Sequence, residues 1–198
     1  MSDISATELL DANNDSLQKK LHTALPAKVV SFNPDEQTVT IELMIQQMAH
    51  DGSMLELPPL VDVPVQMLSY GSFFISAEPK EGDEGLAHFA ERCIDGWFES
   101  SQKSVPMDIR FHDFSDAFFA PGYKSKPNAL MIVPNALHMG TTSTYIRITE
   151  GGTIQINGNI TVNGSITATG DVQGAGISLS THTHGGVQSG NSSTGTPQ

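Results

Sequence analysis

The spacing of apolar residues changes character along the chain. From about residue 5 to residue 25, Leu10, Leu17, Leu21 and Leu25 fall roughly on one helical face. Ser5 and Glu8 have the S-x-x-E form of a capping box at its start. The segment therefore predicts a helix whose leucine stripe packs onto a neighbour. From about 26 to 140 the apolar runs are short and separated by turn residues. AKVVSFN and TVTIEL flank Pro34-Asp35-Glu36-Gln37, the pattern of a hairpin, and VDVPVQML, FFIS and GLAHFAE follow with Pro and Gly between them. Several short strands in about 100 residues predict a small antiparallel barrel or sandwich, with an OB-type barrel the best match.

The third pattern is arithmetic. In YIRITEGGTIQINGNITVNGSITATGDVQGAG, Ile148, Ile154, Ile160, Ile166 and Val172 are six apart, and so are Gly152, Gly158, Gly164, Gly170 and Gly176. A third column, Ile156, Val162 and Ala168, keeps the step and shrinks toward the C-terminus. All three columns lie on even numbers and share one face of an extended chain. A hexad with a glycine corner is a β-solenoid pattern. A single-chain left-handed helix of the hexapeptide acyltransferase kind needs three units per coil and several coils, and five units are too few. If three identical chains each supply one unit per turn, the columns stack about a common axis and the core closes. The expectation is an intertwined homotrimer over 141–180, apolar inside and with Asn, Thr and Gln outside.

Charge sharpens this division. The 198 residues carry a formal charge of −12 with only ten Lys and Arg, which argues against a nucleic-acid partner. From 141 to 198 the only charged residues are Arg147, Glu150 and Asp171, so nearly all of the negative charge precedes the repeat. Low charge suits three strands packed about one axis. A disordered polar linker would also be uncharged, but it would not keep a six-residue apolar column. The single cysteine, Cys93, excludes an intrachain disulfide and reads as a small buried thiol. No apolar stretch has signal-peptide or membrane-spanning form, so the chain is expected to be made in the cytoplasm and not to span a membrane.

Candidate chemistry is confined to the end. THTHGG, residues 181–186, places His182 and His184 two apart. On a threefold axis two imidazoles per chain become six, an all-nitrogen octahedral shell for iron, nickel, cobalt or zinc. The neutral ring is the ligand, so metal affinity falls as pH drops through the ordinary imidazole range near about 6.5. Parity is against this placement. The inward parity is even through Val172, but Ile177 and Leu179 are odd, so Gly174-Ala175-Gly176 is expected to host a bulge or corner. Without a second change of direction after Ser180, both histidines would face outward. Elsewhere HDFSD at 112–116 lacks a nucleophile elbow and reads as turn capping by Asp113 or Asp116, while GDEG at 82–85 is a turn and not a phosphate loop. No catalytic set and no small-molecule site emerge.

The run GDVQGAGISLSTHTHGGVQSGNSSTGTPQ resembles the tip of the central spike proteins of contractile-tailed bacteriophages, the baseplate assembly protein V type. In that family a His-x-His strand from each of three chains binds one iron ion at the apex of a trimeric β-helix. The resemblance implies that His182 and His184 are the ligands, with one iron per trimer, and that Gly185, Gly186 and Thr194 to Pro197 form the closing loop. The middle zone resembles the OB domain of these spikes through GDEGLAHFAERCIDGWFES, with Gly82, Asp83, Asp95 and Trp97, and RFHDFSDAF, with His112, Asp113 and Asp116. The expected architecture is mainly β: a helical segment at 1–25, an OB-like domain at 26–140, a trimeric β-helix at 141–180 and a metal-bound apex at 181–198. The implied role is a non-enzymatic virion spike at the tail baseplate tip, assembled in the host cytoplasm, docked on the baseplate hub and tail tube, and piercing the bacterial outer membrane. A trimeric tail fibre or adhesin is the alternative, disfavoured because no aromatic residue follows Tyr145.

Overall fold

The computed structural model describes residues 5–49, 52–184, 186 and 190, apart from the side chains of Lys19 and Lys20, and it divides into a unit ending at Met131 and another beginning at Ile132. In the first unit, α1 spans Ala6–Lys20 and starts on the expected box: Glu8 N donates to Ser5 Oγ at 3.2 Å and Ser5 N donates to a Glu8 carboxylate oxygen at 2.7 Å. The helix stops earlier than the leucine spacing predicts. Pro26 disfavours helical geometry at the residue before it, and Leu25 is instead drawn into a strand opposite Ala87. Leu9, Leu10 and Leu17 remain more than half exposed, so the stripe has no cover among the described residues of this chain.

Strands β1 (Ala24–Asn33) and β2 (Thr38–Leu43) form the predicted hairpin, with Asn33 opposite Thr38. Its turn is set locally, because Asp35 N donates to Asn33 Oδ1 at 3.1 Å and Gln37 takes a positive φ of 56°. Two short ribbons follow: β3 (Gln47–Met48) with β4 (Met54–Leu55), and, beyond β5 (Leu60–Pro64), β6 (Leu68–Tyr70) with β7 (Phe73–Ile75). Strand β8 (Glu84–Phe89), helix α2 (Asp95–Ser100) and strand β9 (Ala117–Pro121) complete the unit. The main sheet runs β5-β2-β1-β8-β9, antiparallel throughout. It curls until its edges approach: Val65 bridges Phe119, and Gln66 N donates to the Phe119 carbonyl at 2.8 Å. This five-stranded half-barrel is consistent with an OB-like domain.

The barrel interior follows from period-two alternation. Val39, Ile41 and Leu43 of β2 turn inward while Glu42 is exposed, and Ala87 and Phe89 of β8 do likewise. Phe119 fills the centre and has no solvent exposure. Its ring occupies the space where a side chain at position 85 would lie: a Cβ on Gly85 would meet that ring and stand 2.5 Å from the Ala120 carbonyl oxygen. Gly85 is therefore a close-approach glycine of the barrel, whereas Gly82, with φ of 88°, makes the turn that GDEG predicts.

In the second unit, β10 (Ala136–Gly140), β11 (Tyr145–Thr149) and β12 (Ile154–Asn157) form an antiparallel meander. Between Gly158 and Val172 the chain makes no strand pairing with its other described residues. The repeat columns are uncovered: Ile148 is 38% exposed, Ile160 63% and Ile166 75%. Among the described residues no helix is long and apolar enough to cross a membrane.

Candidate metal centre at the chain tip

The region between Val172 and His182 turns twice. Strands β13 (Gln173–Gly174) and β14 (Ile177–Ser178) pair with Gly174 opposite Ile177, leaving Ala175 and Gly176 as a two-residue turn with φ of 50° and 81°. Two positive φ values in succession are the type I′ pattern, whose twist suits a tight hairpin. Leu179 N donates to the Val172 carbonyl at 2.8 Å and extends the ladder. The corner expected at Gly174-Ala175-Gly176 is thus a full reversal, and Ile177 and Leu179 are odd because they lie on the returning arm. A second turn follows at once, closed by His182 N donating to the Ser178 carbonyl at 3.2 Å. Simple alternation counted from Val172 therefore carries no information about where His182 faces.

Asp171 holds these turns together. Its Oδ1 accepts from Ser180 N at 3.1 Å and from Ser180 Oγ at 2.8 Å, while Gln173 Nε2 donates to Oδ2 at 3.4 Å. The hydroxyls of Ser178 and Ser180 and the Ser180 amide favour the charged carboxylate and push its pKa down to about 2. The only signal for this role in the sequence is that Asp171 is the one carboxylate after Glu150, in a zone otherwise free of charge. Its hydrogen bonds form only when both turns are in place, so its role is not legible in the sequence.

The turns bring the two histidines together, with ring centroids 5.1 Å apart in an edge-to-face arrangement. His182 Nδ1 lies 2.9 Å from the Ser178 carbonyl oxygen and 3.1 Å from that of Leu179. Carbonyl oxygens only accept, so Nδ1 carries a proton, and in the neutral ring Nε2 is then the nitrogen with a free lone pair. That is how ligating histidines are commonly fixed, one nitrogen tied to a carbonyl and the other left for a metal. The donor set therefore fits a transition metal. The closing-loop residues Gly185 and Thr194 to Pro197 lie outside the described residues, and Gly186 has a positive φ of 77°.

The acidic residues of the middle zone do structural work. Asp113 caps a short 3₁₀ turn over Phe114–Asp116 by accepting from Ser115 N at 2.9 Å. Asp116 is fully buried and was not predicted to be an ion-pair partner; Arg110 Nε and Nη2 each donate to it at 3.0 Å, and Ile94 N donates at 3.0 Å. Cys93 Sγ and the carboxylates of Asp95 and Asp116 lie within 4.8 Å of one another, a grouping that resembles a cation site. The cation there is the Arg110 guanidinium, whose Nη2 also reaches Cys93 Sγ at 3.2 Å and Asp95 at 3.0 Å. These contacts with Asp116 and Asp95 raise the guanidinium pKa further, so the group stays charged.

The chain is mainly β, with an OB-like half-barrel and a tip that carries two adjacent histidine rings. Residues 25–122 match the family described as the phage protein Gp138 N-terminal domain, and residues 176–198 match the GpV apex motif. No curated protein matches the chain. Together the two family matches point to the phage baseplate central spike proteins, with a structural role in the virion tail.

Proposed function

We propose that three copies of this chain wind about one axis as the spike at the tip of a contractile tail, closed at its point by one iron ion, and that the spike pierces the bacterial outer membrane. The observation that carries the reading is the bare column from Ile148 to Val172. Its apolar side chains recur every six residues, stay exposed among the described residues, and lead into the His182–His184 pair. Burying such a column against two identical ones removes apolar surface from water at about 25 cal/mol per Å², which makes trimerisation the favourable outcome.

Function then follows from stiffness. Asp171, Ser178 and Ser180 fix the turns that present His182, and the Ser178 and Leu179 carbonyls hold its ring. His182 and His184 of each chain would hold the metal, which supplies a crosslink between three chain ends and no reaction. The OB-like unit docks on the hub and tail tube, and a push along the rod is transmitted to a point that does not splay.

Electron microscopy of phage particles carrying a label fused near the N-terminal helix tests the assignment. The label is expected at the centre of the baseplate, one cluster per tail. Label on lateral fibres, or its absence from particles, would overturn the spike reading in favour of a fibre or a non-virion protein.

A further inference from the structure

The β10-β11-β12 meander has two chemically distinct faces. Its register places Leu137, Ile148 and Ile154 in one row and Met139, Ile146 and Ile156 in the next. Directly opposed residues share a face, so these side chains form one apolar surface across three strands. Each is between 38% and 65% exposed. The other face is polar and makes contacts of its own: the Arg147 guanidinium stands 4.4 Å over the Tyr145 ring, the His138 ring lies 4.8 Å from it, and Gln155 pairs with Arg147.

Resting on the trimer reading above, we propose that residues 136–157 form one wall of a three-walled prism, each wall hydrogen-bonded within its own chain, and that the chains interleave only beyond Gly158. The occupant of the apolar face is the same face of two further copies. That face has no charge to oppose itself, and its Ile148 and Ile154 begin the column that runs on through Ile160, Ile166 and Val172. Strand β11 has both of its edges filled by its own chain, so no neighbour can pair with it. From Gly158 to Gly170 the situation is reversed, because no strand among the described residues of the same chain pairs with the backbone there, and neighbouring chains are the available partners.

This gives the rod two segments with different work. The prism is built from pairings close in sequence, which form quickly. Once three such walls meet, the hexads that follow are aligned in register before they wind. The prism thus acts as a register clamp for the interleaved segment.

Crosslinking the full chain in a Cys93→Ser background separates the two arrangements. His138→Cys with Arg147→Cys, and separately Arg147→Cys with Gln155→Cys, place thiols on opposed strands of the polar outer face, at a separation a disulfide spans. After oxidation, the expected result is a bridge within each chain: monomer mobility on a denaturing gel from a protein whose native mass is that of three chains. Covalent dimers and trimers from a trimeric protein, or no bridge at either pair, would overturn the prism while leaving the trimer intact. A native mass of one chain would instead defeat the trimer reading itself.

Discussion

Replacing Arg110 with methionine is expected to destabilise the N-terminal unit by about 3–5 kcal/mol, the usual loss when one partner of a buried ion pair is removed. Asp116 has no exposure, and two of the three donors holding its carboxylate come from that one guanidinium. Without Arg110 the charge stays buried with the Ile94 amide as its remaining donor, and the tie to Asp95 and Cys93 is lost with it. The loop before β9 and the first turn of α2 should loosen together. Urea unfolding followed by the fluorescence of Trp97, the only tryptophan, reads this unit directly. Adding Asp116→Leu should recover most of the loss, since the cost lies in the unpaired charge rather than in the missing attraction. A loss below about 1 kcal/mol for Arg110→Met, the range of surface pairs, would show the pair to be solvated.

The second large effect is chemical. His182→Ala combined with His184→Ala is expected to abolish metal binding while leaving three chains together, because in the proposed trimer the apolar column from Ile148 to Val172 would bury more surface than the two imidazoles. Elemental analysis and native mass on the same sample check both parts, and dissociation into monomers would mean that the tip, not the column, holds the trimer. Acid should mimic the substitution. Protons compete for ligand nitrogens, so metal affinity falls as the tip is acidified. The Asp171 pKa is lowered, so its contribution to the tip is present above the ordinary carboxylate range and is lost only as pH falls toward about 2. On acidification the metal should therefore leave while the turns persist, which hydrogen exchange at the Ser180 amide would report.

The order of the elements in the N-terminal unit was legible because local signals decided them. The capping box at Ser5, the Pro34–Gln37 turn and the alternation in TVTIEL each point to the structure that forms. The end of α1 was not, because Leu25 fits the helical stripe and the strand equally well, and pairing with β8 decides between them. Arg110 and Asp116 were opaque for a different reason: their importance is created by burial, which depends on the curl of the whole sheet. At the tip the His-x-His pair was evident, yet counting alternate residues pointed it outward. Alternation holds only along a continuous strand, and the Ala175-Gly176 hairpin followed by the Ser178–His182 turn breaks that continuity twice. The same columns that fixed the six-residue period do not reveal that residues 136–157 pair with one another within the chain.

Native mass spectrometry of the purified full chain, with metal analysis of the same preparation, reads directly whether three copies close around one metal ion. The expected species is three 21.2 kDa chains carrying one iron ion. A monomer, or a trimer with no metal near one ion per three chains, would contradict it.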